Sequence, residues 1–117
     1  MRSKYGNRKV SADGYTFDSL LEYRRYQQLK ILLAAGEISD LQVHYSIVLA
    51  EKDRDAEGKI NEIEYEADFR YIENGVTVIE DTKGVLTDVF KIKWGLLRRK
   101  FKNAPDVRLV KLTKDDV

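Results

Sequence analysis

The chain has 117 residues, 43% of them hydrophobic and 35% charged, with no cysteine and a formal net charge of +1. That length suits one domain with one core, and the lack of cysteine excludes a disulfide framework, a cysteine-based zinc site and a thiol nucleophile. The small net charge hides a segregation: residues 51–81 carry eleven acids, whereas residues 83–102 carry seven bases and the single acid Asp88, so an acidic centre lies between basic flanks.

Residues 1–15 are polar and basic, with Gly6, Asn7 and Gly14 as turn formers, and read as a basic N-terminal arm, either mobile or folded into a short hairpin. No apolar run follows these bases, and no stretch approaches the ~20 apolar residues of a membrane span, so a soluble, unexported protein of the cytoplasm is expected. Asp18 and Ser19 are N-cap types, and from there to Ala35 the chain lacks Gly and Pro, which predicts a first helix closed by Gly36. On its wheel Leu21, Tyr26, Leu29, Leu32 and Leu33 form one apolar arc, and Glu22 projects from the middle of it. A carboxylate so placed needs a partner, or serves as the acid of a Ser19-x-x-Glu22 capping box that bonds the Ser19 amide. The two roles can coexist.

Residues 41–50 alternate, with Val43, Tyr45, Ile47 and Leu49 on one side and Gln42, His44 and Ser46 on the other. His44, the sole histidine, reads as a surface or hydrogen-bonded structural residue rather than a catalyst. A charged loop over 51–61 precedes a strand over 63–72, the turn pair Asn74-Gly75 and a third strand over 76–83. Thr87 or Asp88 can cap a second helix running to about Lys102, with Phe90, Trp94, Leu97 and Phe101 on one stripe and Val89, Ile92 and Leu96 beside it. Pro105 and Asp106 make a turn before a last strand over 107–112. The order helix, three strands, helix, strand predicts an α/β fold: an antiparallel meander, then a crossover, in one mixed four-stranded sheet flanked by helices.

Side chains alternate along a strand, so Asp81 and Lys83 are expected on one face, and a hairpin partner brings Asp68 within reach of Asp81. Two converging carboxylates repel, and a divalent cation such as Mg²⁺ relieves them through oxygen ligands. A cation held there can polarise a phosphoryl oxygen and lower the pKa of a water, with Lys83 stabilising developing charge. The plain alternative is an exposed Asp81–Lys83 ion pair, worth about 0–1 kcal/mol. Lys91, Arg98 and Lys102 fall near one line of the second helix, with Gly95 between them, and this ridge can track a nucleic-acid backbone or be an ordinary solvated face. Lys4, Arg8, Lys9, Tyr5 and Tyr15 are the arm's candidates for touching DNA, while Trp94 and the remaining tyrosines read as packing.

An acid on the second strand followed by Asp81-Thr82-Lys83 on the third resembles the PD-(D/E)XK nuclease superfamily, with its restriction-endonuclease-like αβββαβ core. KYGN (4–7), FDSLLEYRRY (17–26), EADFRY (66–71) and EDTKG (80–84) also make the chain similar to a family of small phage-encoded proteins with this core. The resemblance covers residues 4 to about 101 and departs at Ala67, where the superfamily name has proline. It implies a Mg²⁺- or Mn²⁺-dependent endodeoxyribonuclease spanning residues 1–117. Asp68 and Asp81 are the implied metal ligands, with the Thr82 carbonyl, Lys83 orienting the attacking water and Glu22 completing the site, as in resolvases of branched DNA. The implied setting is phage recombination, replication or packaging in the host cytoplasm, and a two-fold junction substrate would go with a homodimer. The competing expectations are a DNA-binding accessory of the same fold without catalysis, and a protein-interaction adaptor.

Overall fold

A computed structural model describes residues 8–84 and 86–117. The basic arm is a hairpin in its described part: β1 (Val10–Ala12) pairs antiparallel with β2 (Tyr15–Phe17). Lys4 and Tyr5 lie outside the described residues. Helix α1 (Leu20–Ala34) follows, then β3 (Ser39–Ala50). The charged loop holds a second small hairpin, β4 (Asp53–Asp55) with β5 (Gly58–Ile60). The chain continues through β6 (Ile63–Glu73), β7 (Val76–Thr82), α2 (Asp88–Phe101) and β8 (Val107–Leu112). The main sheet has the order β3-β6-β7-β8, antiparallel except for the parallel pair β7–β8. The expected mixed four-stranded sheet with two helices is therefore present, decorated by two hairpins.

Local chemistry explains the boundaries. Ser19 Oγ accepts from the Glu22 amide at 3.1 Å, and the helix closes with Gly36 at φ 76° while the Gly36 and Glu37 amides return to Leu33 and Leu32, the Schellman pattern that a left-handed glycine permits. Thr87, not Asp88, caps α2, its hydroxyl accepting from the Phe90 amide. Asn74 and Gly75 both take positive φ between the paired Glu73 and Val76, as a two-residue primed turn demands.

Two apolar clusters lie on opposite faces of the sheet. Tyr26 and Leu29 of α1 pack with Phe17, Phe69, Tyr71 and Val78, whereas Phe90, Trp94 and Leu97 of α2 pack with Ile47, Tyr65, Ala67 and Ile79. The buried line of α1 is Glu22, Tyr26 and Leu29, and Leu33, expected in the arc, is 41% exposed. On α2, Val89 and Ile92 are likewise exposed, at 63% and 66%. The sheet covers a narrower stripe of each helix than the wheel suggests.

The alternation expected along β3 breaks at one residue. Val43 packs on the α1 face, whereas Tyr45, Ile47 and Leu49 pack on the α2 face, although all four share parity. His44 between them has φ 57°, and that left-handed kink rotates the strand. In β6 the same change of face falls between Ala67 and Phe69, at Asp68. The flanking pairs Val43↔Phe69 and Tyr45↔Ala67 put the two switch residues opposite each other.

Candidate functional site

Where both strands change face, the β6–β7 ladder gives way to side chains. Its last paired residues at this end are Phe69 and Glu80. Beyond them the Asp68 amide donates to Asp81 Oδ1 at 3.1 Å, and the Thr82 amide and hydroxyl donate to Asp68 Oδ2 at 2.8 and 2.9 Å. Each acid thus takes a backbone amide of the neighbouring strand, which satisfies the main chain and locks the two carboxylates side by side. Lys83 Nζ is 3.7 Å from Asp81 Oδ1.

Asp81 is fully buried, and among the described residues its Oδ2 has no hydrogen-bond partner, one of two buried side-chain atoms so placed along with the Tyr65 hydroxyl. Burial pushes the Asp81 carboxyl up to about 6 against the opposing pull of Lys83. Burial also raises Asp68, with Lys83 and the Thr82 donors pulling the other way.

Glu22 reaches the site from the first turn of α1, where the helix N-terminus favours an anion. Its Oε1 lies 2.8 Å from His44 Nε2, and its Oε2 accepts from the Asp18 amide at 3.2 Å. The capping-box expectation is corrected in one detail: Ser19 caps Glu22, but Glu22 returns to Asp18 rather than to Ser19. Burial first, then the Asp68 charge, pushes the Glu22 carboxyl up to about 7, against the His44 hydrogen bond. Glu22 thus feels the charge of Asp68, and burial makes ionisation of all three carboxyls costly.

Asp81 and Lys83 share a face of β7, as alternation predicts, and Glu22 approaches from the other side of the sheet. Val78 and Ile79 mark the two faces of β7, so alternation puts Thr82 on the α1 side with Glu22, and Asp81 and Lys83 on the α2 side, where Lys83 Nζ stands 4.9 Å from the Phe90 ring centroid. Asp68 joins them at the kink. His44 is hydrogen-bonded, as one expectation had it, yet it belongs to the site, and period-two reading hides this because a left-handed residue breaks the period.

Sequence reading also passed over Glu80. It is fully buried and accepts from Arg25 Nε at 2.5 Å, Arg25 Nη2 at 3.0 Å and the Tyr71 hydroxyl at 2.6 Å, which bolts α1 onto β7 one residue before Asp81. The signal was present: Glu80 shares Val78's parity, and Arg25 follows Glu22 by three on α1.

Of the expected DNA contacts, Arg8 is exposed and Lys9 stands 4.0 Å from Asp18. Lys91, Arg98 and Lys102 are exposed on α2, but only Arg98 and Lys102 line the hollow between α2 and β8.

The donor set is hard oxygen, and it includes a buried orphaned carboxylate oxygen with Lys83 beside it. It fits a magnesium-type ion better than a soft metal. Among the described residues no three His, Asp or Glu side chains already stand at ligand spacing. Among them, too, no helix is long and apolar enough to cross a membrane.

A family model described as "Protein of unknown function (DUF1064)" matches residues 2–115. No curated protein and no solved structure matches the chain.

Proposed function

Taking as premise that the chain belongs to the DUF1064 family, we propose that it is a metal-dependent endodeoxyribonuclease whose centre is Asp68, Asp81 and Lys83. The observation that carries this is Asp81 Oδ2, buried and partnerless beside a second acid and a lysine. Leaving such an oxygen unsatisfied costs about 1–3 kcal/mol or more for a charged group, a cost that a bound Mg²⁺ or Mn²⁺ removes. Asp68 and Asp81 would hold the ion, with the Thr82 carbonyl and Glu22 as further ligands. When bound, the metal supplies Lewis-acid activation of a phosphodiester and of water.

The protein's own residues do the positioning. Thr82 fixes the Asp68 carboxylate through two hydrogen bonds, and His44 and the Asp18 amide fix Glu22. Lys83, half-buried against Phe90, offers a cation at the mouth of the site, where it orients the nucleophile or balances phosphoryl charge. This carries the likeness to PD-(D/E)XK nucleases onto these residues, with DNA as substrate, the host cytoplasm as setting, and phage recombination, replication or packaging as the role.

Cleavage of plasmid, linear duplex and synthetic four-way junctions with Mg²⁺ and Mn²⁺ tests the proposal. Lys83→Ala is expected to lose about 10²–10³ in rate, and Asp81→Asn to lose Mn²⁺ binding by calorimetry. Equal cleavage by wild type and Lys83→Ala removes the catalytic assignment. The second reading, a DNA-binding accessory without catalysis, draws on the absence of a ready ligand set among the described residues, and predicts salt-sensitive DNA binding that is indifferent to divalent ions.

A further inference from the structure

A path of contacts leads out of the acidic centre. Lys83 Nζ lies over the Phe90 ring, the Phe90 and Trp94 ring centroids are 5.6 Å apart, and Lys111 Nζ stands 5.6 Å from the Trp94 centroid. Lys111 is the residue of β8 paired with Asp81 in the parallel register. The path opens into a hollow of about 820 Å³ between α2 and β8, lined in part by Trp94, Gly95, Arg98, Arg99, Lys102 and Lys111. All four cationic side chains are exposed, and none joins an ion pair among the described residues.

Four unpaired cations around one concavity repel each other, and a line of phosphates relieves that repulsion. A single backbone is flexible enough to follow such a concavity, whereas a duplex is stiff over this distance, with a persistence length of about 150 bp. Gly95 supports the reading independently. Helix propensity disfavours glycine in the middle of α2, and a β-carbon built there meets nothing within 4 Å. The internal packing therefore does not require glycine, and its bareness widens the groove.

We infer that the α2–β8 groove is a track for a single-stranded DNA segment, which passes Lys111 to reach the acidic centre. This rests on the nuclease reading and narrows its substrate to DNA with an unpaired arm, but the binding itself needs neither metal nor cleavage.

The test uses the full chain in chelator with a labelled single strand of about 12 nucleotides and the duplex of the same sequence, reading anisotropy and the emission of Trp94, the sole tryptophan. The single strand is expected to bind at least tenfold more tightly and to change Trp94 emission. The log–log salt slope should be about −3 for four phosphates, falling to about −1.5 in Arg98→Ala/Lys102→Ala. Gly95→Glu should weaken binding at least tenfold, whereas Arg24→Ala on α1 leaves it unchanged. Equal or tighter duplex binding, unaltered Trp94 emission, full affinity in both groove variants, or equally tight binding of an acidic peptide overturns the inference. Groove binding by a protein that cleaves nothing removes only the nuclease reading, and cleavage without groove binding removes only the track.

Discussion

At the scale of single residues, the buried acids give the metal-free protein a definite pH response. Glu22 and Asp81 titrate higher folded than unfolded, at about 7 and about 6. The folded state therefore binds more protons between pH 4 and 7, and the stability present below the ordinary carboxyl range is lost as pH rises through those values. The groups facing them are Asp68, His44 and the Asp18 amide around Glu22, and Lys83 and the Asp68 amide around Asp81. In chelator the melting temperature should be higher at pH 5 than at pH 8 by about 5 °C or more. Asp81→Asn should flatten that dependence, and Mn²⁺ at pH 8 should restore the wild-type protein. A wild-type profile that is flat, or that rises with pH, contradicts the burial of these carboxyls as the cause of their raised titration.

At the scale of elements, β3 depends on a backbone conformation that most side chains avoid. His44 occupies the left-handed region, which costs a non-glycine residue of order 1 kcal/mol and a β-branched one more. Urea unfolding should therefore rank His44→Gly well above His44→Val, by about 2 kcal/mol, with the glycine variant keeping the strand but losing the contact to Glu22. The Arg25–Glu80–Tyr71 anchor gives a second forecast. Glu80→Ala strands a guanidinium and should cost about 3–5 kcal/mol, whereas the apolar pair Arg25→Met/Glu80→Leu should cost much less. If the double variant is as unstable as the single one, the ion pair is not what couples α1 to β7. These elements also show where reading from sequence runs out. The helices, the Asn74-Gly75 turn and the acid–acid–lysine pattern were legible because each depends on nearby residues. The kink at His44 was not, because period two holds Val43 and Tyr45 together until a backbone angle separates them. Glu22's true partners were likewise out of sight, since His44 meets it only after the sheet folds.

At the scale of the whole molecule, the sheet is a load carried by β6 and β7, with the outer hairpins added to it. β4 is exposed throughout and nearly all of β5 is too, and the hairpin projects beyond Ala50 and Ile63, the last residues paired at that end of β3 and β6. Replacing residues 51–62 by Asn-Gly should leave stability within about 1 kcal/mol, because loop length changes closure entropy only slowly, and hydrogen exchange should remain slowest in β6 and β7. Loss of cooperative unfolding in the shortened chain would show that the acidic hairpin is structural. The paired change of face at His44 and Asp68 sets a condition for anyone transplanting this centre. Grafting the acids and the lysine onto a regular sheet would leave them on separate sides of an unbroken ladder. The recipient must also receive the twist in two adjacent strands that lets one carboxylate reach across to its neighbour's amide.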